Sequence, residues 1–143
     1  MKPTLTHIAL GVRDLDRTIA FYRKHCALHV VHERDEGMRV VWLGEHPTDV
    51  HFVIVLFPAP GDDAPGPHTL QHLGFAVGSR AEVDAAAEAA RAEGILRIEP
   101  NYAGPVVGYF CIVEDPDGNS VEFSYGQPIE PRQLPGERAK APA

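Results

Sequence analysis

The alternation of hydrophobic and polar positions predicts one short block of elements, written twice. Residues 5–12 alternate as a strand, Arg13-Asp14 offers an N-cap, and Leu15, Ile19, Phe21 and Tyr22 mark a helix running to about His25. His29 to Arg34, Met38 to Gly44 and His51 to Phe57 read as three strands separated by polar or Gly/Pro-containing turns. Residues 58–67 are too rich in Pro and Gly for regular structure and read as a linker. The block then restarts. Leu70 to Val77 predicts a strand, and Ser79 with Glu82 a capping box for an Ala-rich helix that stops before Gly94. Ile95 to Glu99, Val107 to Val113 and Ser120 to Tyr125 complete the second set of strands. The tail, 127–143, carries Pro128, Pro131, Pro135 and Pro142 and reads as loosely ordered or draped over a partner.

The two blocks superpose by subtraction. His7-Ile8-Ala9-Leu10-Gly11-Val12 matches His72-Leu73-Gly74-Phe75-Ala76-Val77 at an offset of 65, and the N-caps Asp14 and Ser79 keep it. Past the helices the offset becomes 67, since Gly94 ends the second helix where Ala27 ends the first. The same offset carries Glu122 onto Val55. This is a duplicated βαβββ module, and it predicts an α+β fold.

Strand parity sorts the candidate chemistry. His7, Ala9 and Gly11 share one face of the first strand, and His72, Gly74 and Ala76 one face of the fifth. Each histidine thus has only small companions on its own side. The turn Asp115-Pro116-Asp117-Gly118 feeds the last strand, where Val121, Phe123 and Tyr125 alternate with Ser120, Glu122 and Ser124. Glu122 alone is equally consistent with a solvated sheet face; two repeat-related histidines beside it change that picture. Where the two sheets curve round a common space, His7, His72 and Glu122 converge as two imidazoles and a carboxylate. That donor set suits Fe(II), and also Mn(II), Co(II), Ni(II) or Zn(II). A calcium loop at Asp115-Asp117-Asn119 fails for want of a Gly at its sixth position and a longer run to its Glu.

Composition narrows the classes. The 143 residues make one domain's worth of chain, with 44% hydrophobic and 23% charged residues, ordinary for a globular protein. A net charge of −7 and the lack of any basic run argue against a nucleic-acid surface. Two cysteines, Cys26 and Cys111, give neither a disulfide framework nor a CxxC metal motif. With no apolar leader and no long apolar run, the expectation is a soluble cytoplasmic protein without a membrane partner.

Taken together, a His near the N-terminus, an Asp-capped helix ending in Phe-Tyr, a second His about 65 residues on and Asp-Pro-Asp-Gly-Asn-x-x-Glu resemble the vicinal oxygen chelate superfamily of glyoxalases, bleomycin-resistance proteins and extradiol dioxygenases. The resemblance spans residues 5 to about 126. It implies paired βαβββ modules in a cupped mixed sheet around a metal-binding cavity, commonly in a homodimer. The domain would then be 1–126, with modules at 5–57 and 68–126 around the linker. His7, His72 and Glu122 match three of the family's four ligand positions, and Val55 stands at the remaining one. No subfamily pattern is complete: the tyrosine of extradiol enzymes falls on Ile112, and the Thr of fosfomycin-resistance enzymes on Ala9.

The cavity face expected from parity holds Leu43, His51, Val53, Val55, Phe110 and Ile112. Its apolar lining favours a small hydrophobic substrate that chelates the metal through vicinal oxygens, with lyase/isomerase or dioxygenase chemistry, and it offers no evident general base. The rival expectation is a non-catalytic binding or resistance protein of the bleomycin-binding type.

Overall fold

The computed structural model describes residues 1–2, 4–59 and 71–129. Most of the expected linker and the tail from 130 onward lie outside the described residues. Two compact units emerge, Met1–Gly66 with Pro116–Gly118, and Pro67–Asp115 with Asn119–Ala143.

The first unit runs β1 (His7–Val12), α1 (Leu15–Cys26), β2 (His29–Asp35), β3 (Arg39–Gly44) and β4 (Val53–Pro58). Its sheet has the order β1-β4-β3-β2, with β1 and β4 parallel and the other pairs antiparallel. The second runs β5 (His72–Ala76), α2 (Arg80–Ala92), β6 (Leu96–Tyr102), β7 (Tyr109–Glu114) and β8 (Ser120–Tyr125), in the order β5-β8-β7-β6. The same βαβββ module occurs twice, and its pairing repeats: Ala9 lies opposite Val55 as Gly74 lies opposite Glu122.

Local chemistry accounts for the element ends. The Asp14 carboxylate accepts from the Arg17 N–H at 3.0 Å, and the Ser79 hydroxyl from the Glu82 N–H at 3.2 Å. The sixth strand runs through Pro100 to Tyr102, beyond the expected stop at Glu99. A proline is tolerated there because β6 is an edge strand with bulges on either side of Ile98. The seventh strand starts at Tyr109, not Val107, because Gly108 turns with φ +79°. A Cβ at Gly108 would lie 2.4 Å from the Tyr125 carbonyl oxygen, so only glycine fits.

Helix α1 closes on Ala27, which holds the left-handed conformation at φ 53°. Glycine adopts that conformation without the Cβ penalty. Ala27→Gly is expected to stabilise the protein by about 0.5–1 kcal/mol. The check is a higher urea midpoint at unchanged slope; a lower midpoint would count against the assignment.

Each sheet buries one face. In the first unit Val41, Leu43, Ile54 and Leu56 are all at most 6% exposed. In the second, α2 lays Val83, Ala87 and Ala90 across β6, β7 and β8. These side chains, spaced four and three residues apart, are small enough for close approach. The Cys111 thiol, fully buried, donates to the Val83 carbonyl at 3.8 Å. On the other face the two module-opening strands are open: His7, Ala9 and Gly11 are exposed, and so are His72, Gly74 and Ala76.

In the first unit the buried Asp117 stands at the start of α1. Its Oδ1 accepts from the Arg13 N–H at 3.0 Å and its Oδ2 from the Thr18 hydroxyl at 3.4 Å. A carboxylate there also meets the positive end of the helix. Among the described residues no helix is long and apolar enough to cross a membrane.

Candidate metal centre and cavity

In the second unit β8 lies between β5 and β7, which sets Glu122 opposite both Gly74 and Ile112. Mid-sheet placement buries the carboxylate to 5% exposure. Its Oε2 lies 3.6 Å from His72 Nε2, and its Oε1 is buried with no hydrogen-bond partner. At 3.6 Å the His72 contact is longer than a good hydrogen bond. A buried acceptor left unpaired costs about 1–3 kcal/mol and calls for an explanation.

A cation supplies one. Bonds of about 2.0–2.2 Å to nitrogen and oxygen put two donors on one ion about 3–3.5 Å apart, near the 3.6 Å between His72 Nε2 and Glu122 Oε2, and a carboxylate binding through both oxygens would bring Oε1 onto the same ion. Space is available as well: a Cβ placed on Gly74 would meet nothing within 4 Å. Imidazole with carboxylate suits a first-row divalent ion, so the residues present fit the group. Beside this pair runs a polar row. The Arg97 guanidinium donates to Ser120 Oγ at 2.6 Å and pairs with Glu114 at 2.9 Å, and Ser120 lies opposite His72.

In the first unit His7 is exposed, with Nδ1 engaged by Thr6 Oγ1 at 2.9 Å. That leaves Nε2 as the nitrogen for a ligand. Gly11, however, does not clear space beside it: a Cβ there would sit 2.6 Å from the Ala59 Cβ, so its small size serves close packing. His7 opens instead on a cavity of about 410 Å³ whose wall includes His51, Val53, Val55, Trp42 and Arg34. Within neither unit do three or more His, Cys, Asp or Glu side chains gather, among the described residues.

The expected cavity residues divide. His51, Val53 and Val55 line the cavity of the first unit. Phe110 and Ile112 lie opposite Ser124 and Glu122 on the polar face of the second. Leu43 is a correction: it pairs with Ile54 on the buried face, is 1% exposed, and does not line the cavity. The cavity side belongs to Trp42, opposite Val55. Val40 to Leu43 is apolar at every position, so alternation gave no means of telling the two faces apart.

Arg34 also joins the wall, as do Thr6, Val50 and Phe52, outside the expected set. A bulge between Val30 and His32 turns β2 over and sets His32 opposite Trp42 and Arg34 opposite Val40. Cys111 takes no part in this chemistry. Burial pushes its thiol up to about 11, so it stays protonated and unreactive near neutral pH.

The description Glyoxalase/Bleomycin resistance protein/Dioxygenase superfamily matches residues 4–123. The chain belongs to this superfamily. Among its relatives is an uncharacterized protein of Pseudomonas aeruginosa, 45% identical over 132 residues, covering 92% of this chain and 94% of the relative. Another is the "Probable lactoylglutathione lyase, chloroplastic" of Arabidopsis thaliana, 34% identical over 130 residues. That match covers 85% of this chain but only 35% of the Arabidopsis protein.

Among solved structures, the fosfomycin resistance protein FosX from Listeria monocytogenes superposes with a TM-score of 0.72 at 21% identity, over 94% of this chain and all of that one. A glyoxalase I mutant from Zea mays does so with a TM-score of 0.68 at 26% identity, over 84% of this chain and 43% of that one. At 21% the FosX likeness speaks for the superfamily fold alone.

Proposed function

We propose that this superfamily member is a divalent-metal-dependent enzyme acting on a small, mostly hydrophobic substrate that chelates the metal through vicinal oxygens. The observation that carries the reading is the buried, partnerless Oε1 of Glu122 beside His72. His7, His72 and Glu122 would hold the ion, with the protein acting as a homodimer. The ion is Fe(II), Mn(II), Ni(II), Co(II) or Zn(II). A divalent ion at this place would supply Lewis-acid chemistry toward a pair of vicinal oxygens.

The chain's own residues do the rest. Thr6 holds Nδ1 of His7 and so orients its ring. Val53, Val55 and Trp42 keep water from the apolar part of the substrate. Ser120, held by Arg97, presents a hydroxyl beside His72. Lyase or isomerase chemistry is the first reaction class to test, since a relative at 34% identity carries the name "Probable lactoylglutathione lyase, chloroplastic". The Arabidopsis protein is far longer than this chain, so its activity enters only as that proposal. Dioxygenase chemistry is the second class and requires Fe(II).

A second reading, binding without turnover, is favoured by the mostly apolar cavity wall, where among the described residues His51 is the one side chain besides His7 that could serve as a base. Anaerobic reconstitution with each ion, followed by a screen of hemithioacetals, α-keto acids and catechols for product or O₂ uptake, separates the two. Turnover dependent on one ion supports the enzyme. Tight ligand binding with no turnover under any ion supports the binding protein.

A further inference from the structure

The charge arrangement of the first unit's cavity narrows the ligand. Arg34 lies on its wall, with its guanidinium carbon 6.0 Å from the centre of the Trp42 ring. Apart from Trp42, its one polar neighbour among the described residues is His32 Nε2, 3.5 Å away. Among the described residues no Asp or Glu lines the cavity. Three other arginines are held by carboxylates: Arg39 by Asp16 and Glu33, Arg91 by Glu88 and Glu99, and Arg97 by Glu114. A guanidinium that has no carboxylate partner among the described residues, set beside an aromatic ring in an apolar wall, has the features of an anion site.

We propose that the ligand of this cavity is a carboxylic acid with an apolar or aromatic body. Its carboxylate pairs with the Arg34 guanidinium, which presents donors in a planar fork matching two oxygens. Its body lies against Trp42, Val53 and Val55. A volume of about 410 Å³ accommodates a single-ring acid and a short side chain. The proposal deepens the metal-enzyme reading and rests on it only for the end of the ligand that reaches His7. Arg34 is then a specificity-determining residue.

The test uses the sole tryptophan, Trp42, as its reporter. The full chain, stripped of metal, is titrated with matched pairs, 3-phenylpropanoate against 3-phenylpropanamide and 2-hydroxybenzoate against 2-hydroxybenzamide. Tryptophan fluorescence follows binding, with equilibrium dialysis as a second measurement. The acids are expected to bind about 10-fold more tightly than the amides, a preference that shrinks with added salt. Arg34→Gln should bring the pair to within about 2-fold, and Arg34→Lys should keep part of the preference.

Equal affinity for acid and amide, undiminished acid binding by a folded Arg34→Gln, or no binding of either by both methods overturns the proposal. Metal uptake is measured separately on the wild type and on Arg34→Gln, by calorimetry with Mn(II) and Zn(II). It should be the same in both. Failure of metal binding would sink the metal-enzyme reading and leave the acid–amide comparison to stand or fall alone.

Discussion

Glu122→Gln is expected to weaken divalent-metal binding by at least about 100-fold and, at the same time, to make the metal-free protein more stable. The opposite signs share one cause. Glu122 is buried mid-sheet with an oxygen that no donor satisfies. If that oxygen is reserved for a cation, loss of its charge removes a ligand, and supporting groups one step further out already cost 10–100-fold when lost. Without metal, the same carboxylate is a burden on the fold. A neutral amide of equal shape relieves it by about 1–3 kcal/mol. Calorimetric titration with Zn(II) and Mn(II), and urea unfolding in EDTA, read the two effects. Unchanged metal affinity would remove Glu122 from the ligand set. A less stable metal-free variant would show that Oε1 already has a partner.

Asp117→Ala is expected to cost about 2–3 kcal/mol of stability. Its two oxygens satisfy the Arg13 N–H and the fully buried Thr18 hydroxyl. Truncation strands the buried Thr18 hydroxyl, at about 1–3 kcal/mol, and removes the acceptor from the more exposed Arg13 N–H at a smaller cost. Asp117→Asn keeps one acceptor oxygen and should lose about half as much. Urea midpoints of the two variants, compared with wild type, decide it. An Asp117→Ala protein within about 0.5 kcal/mol of wild type would reduce the residue to ordinary turn chemistry.

That turn marks where reading from sequence stops. Asp115-Pro116-Asp117-Gly118 is legible as a turn because proline restricts φ and Gly118 holds φ +84°. Nothing in its local pattern assigns Asp117 to the start of α1, about a hundred residues back. The site shows the same division. Glu122 and His72 were legible because period-2 alternation puts the one charged side chain of its strand on the polar face, and the repeat points to the histidine beside it. Their 3.6 Å approach and the orphaned oxygen depend on how β5 and β8 pair.

Trp42 and Leu43 mark the other limit. In a strand apolar on both faces, alternation gives the period without saying which face is which. Only the pairing of Leu43 with Ile54 assigned Leu43 to the core and Trp42 to the cavity.

By itself the sequence determined the two βαβββ modules, their caps and the parity of the strands that carry His7, His72 and Glu122. All of these follow from residue types a few positions apart, acting through local backbone geometry. Tertiary structure alone decided that Arg34 joins Trp42 on the cavity wall, through the bulge that turns β2 over. It alone decided that Gly74 opens space while Gly11 closes it. A bulge and a glycine's neighbours are settled by partners distant in the chain, whose packing competes with local preference and prevails.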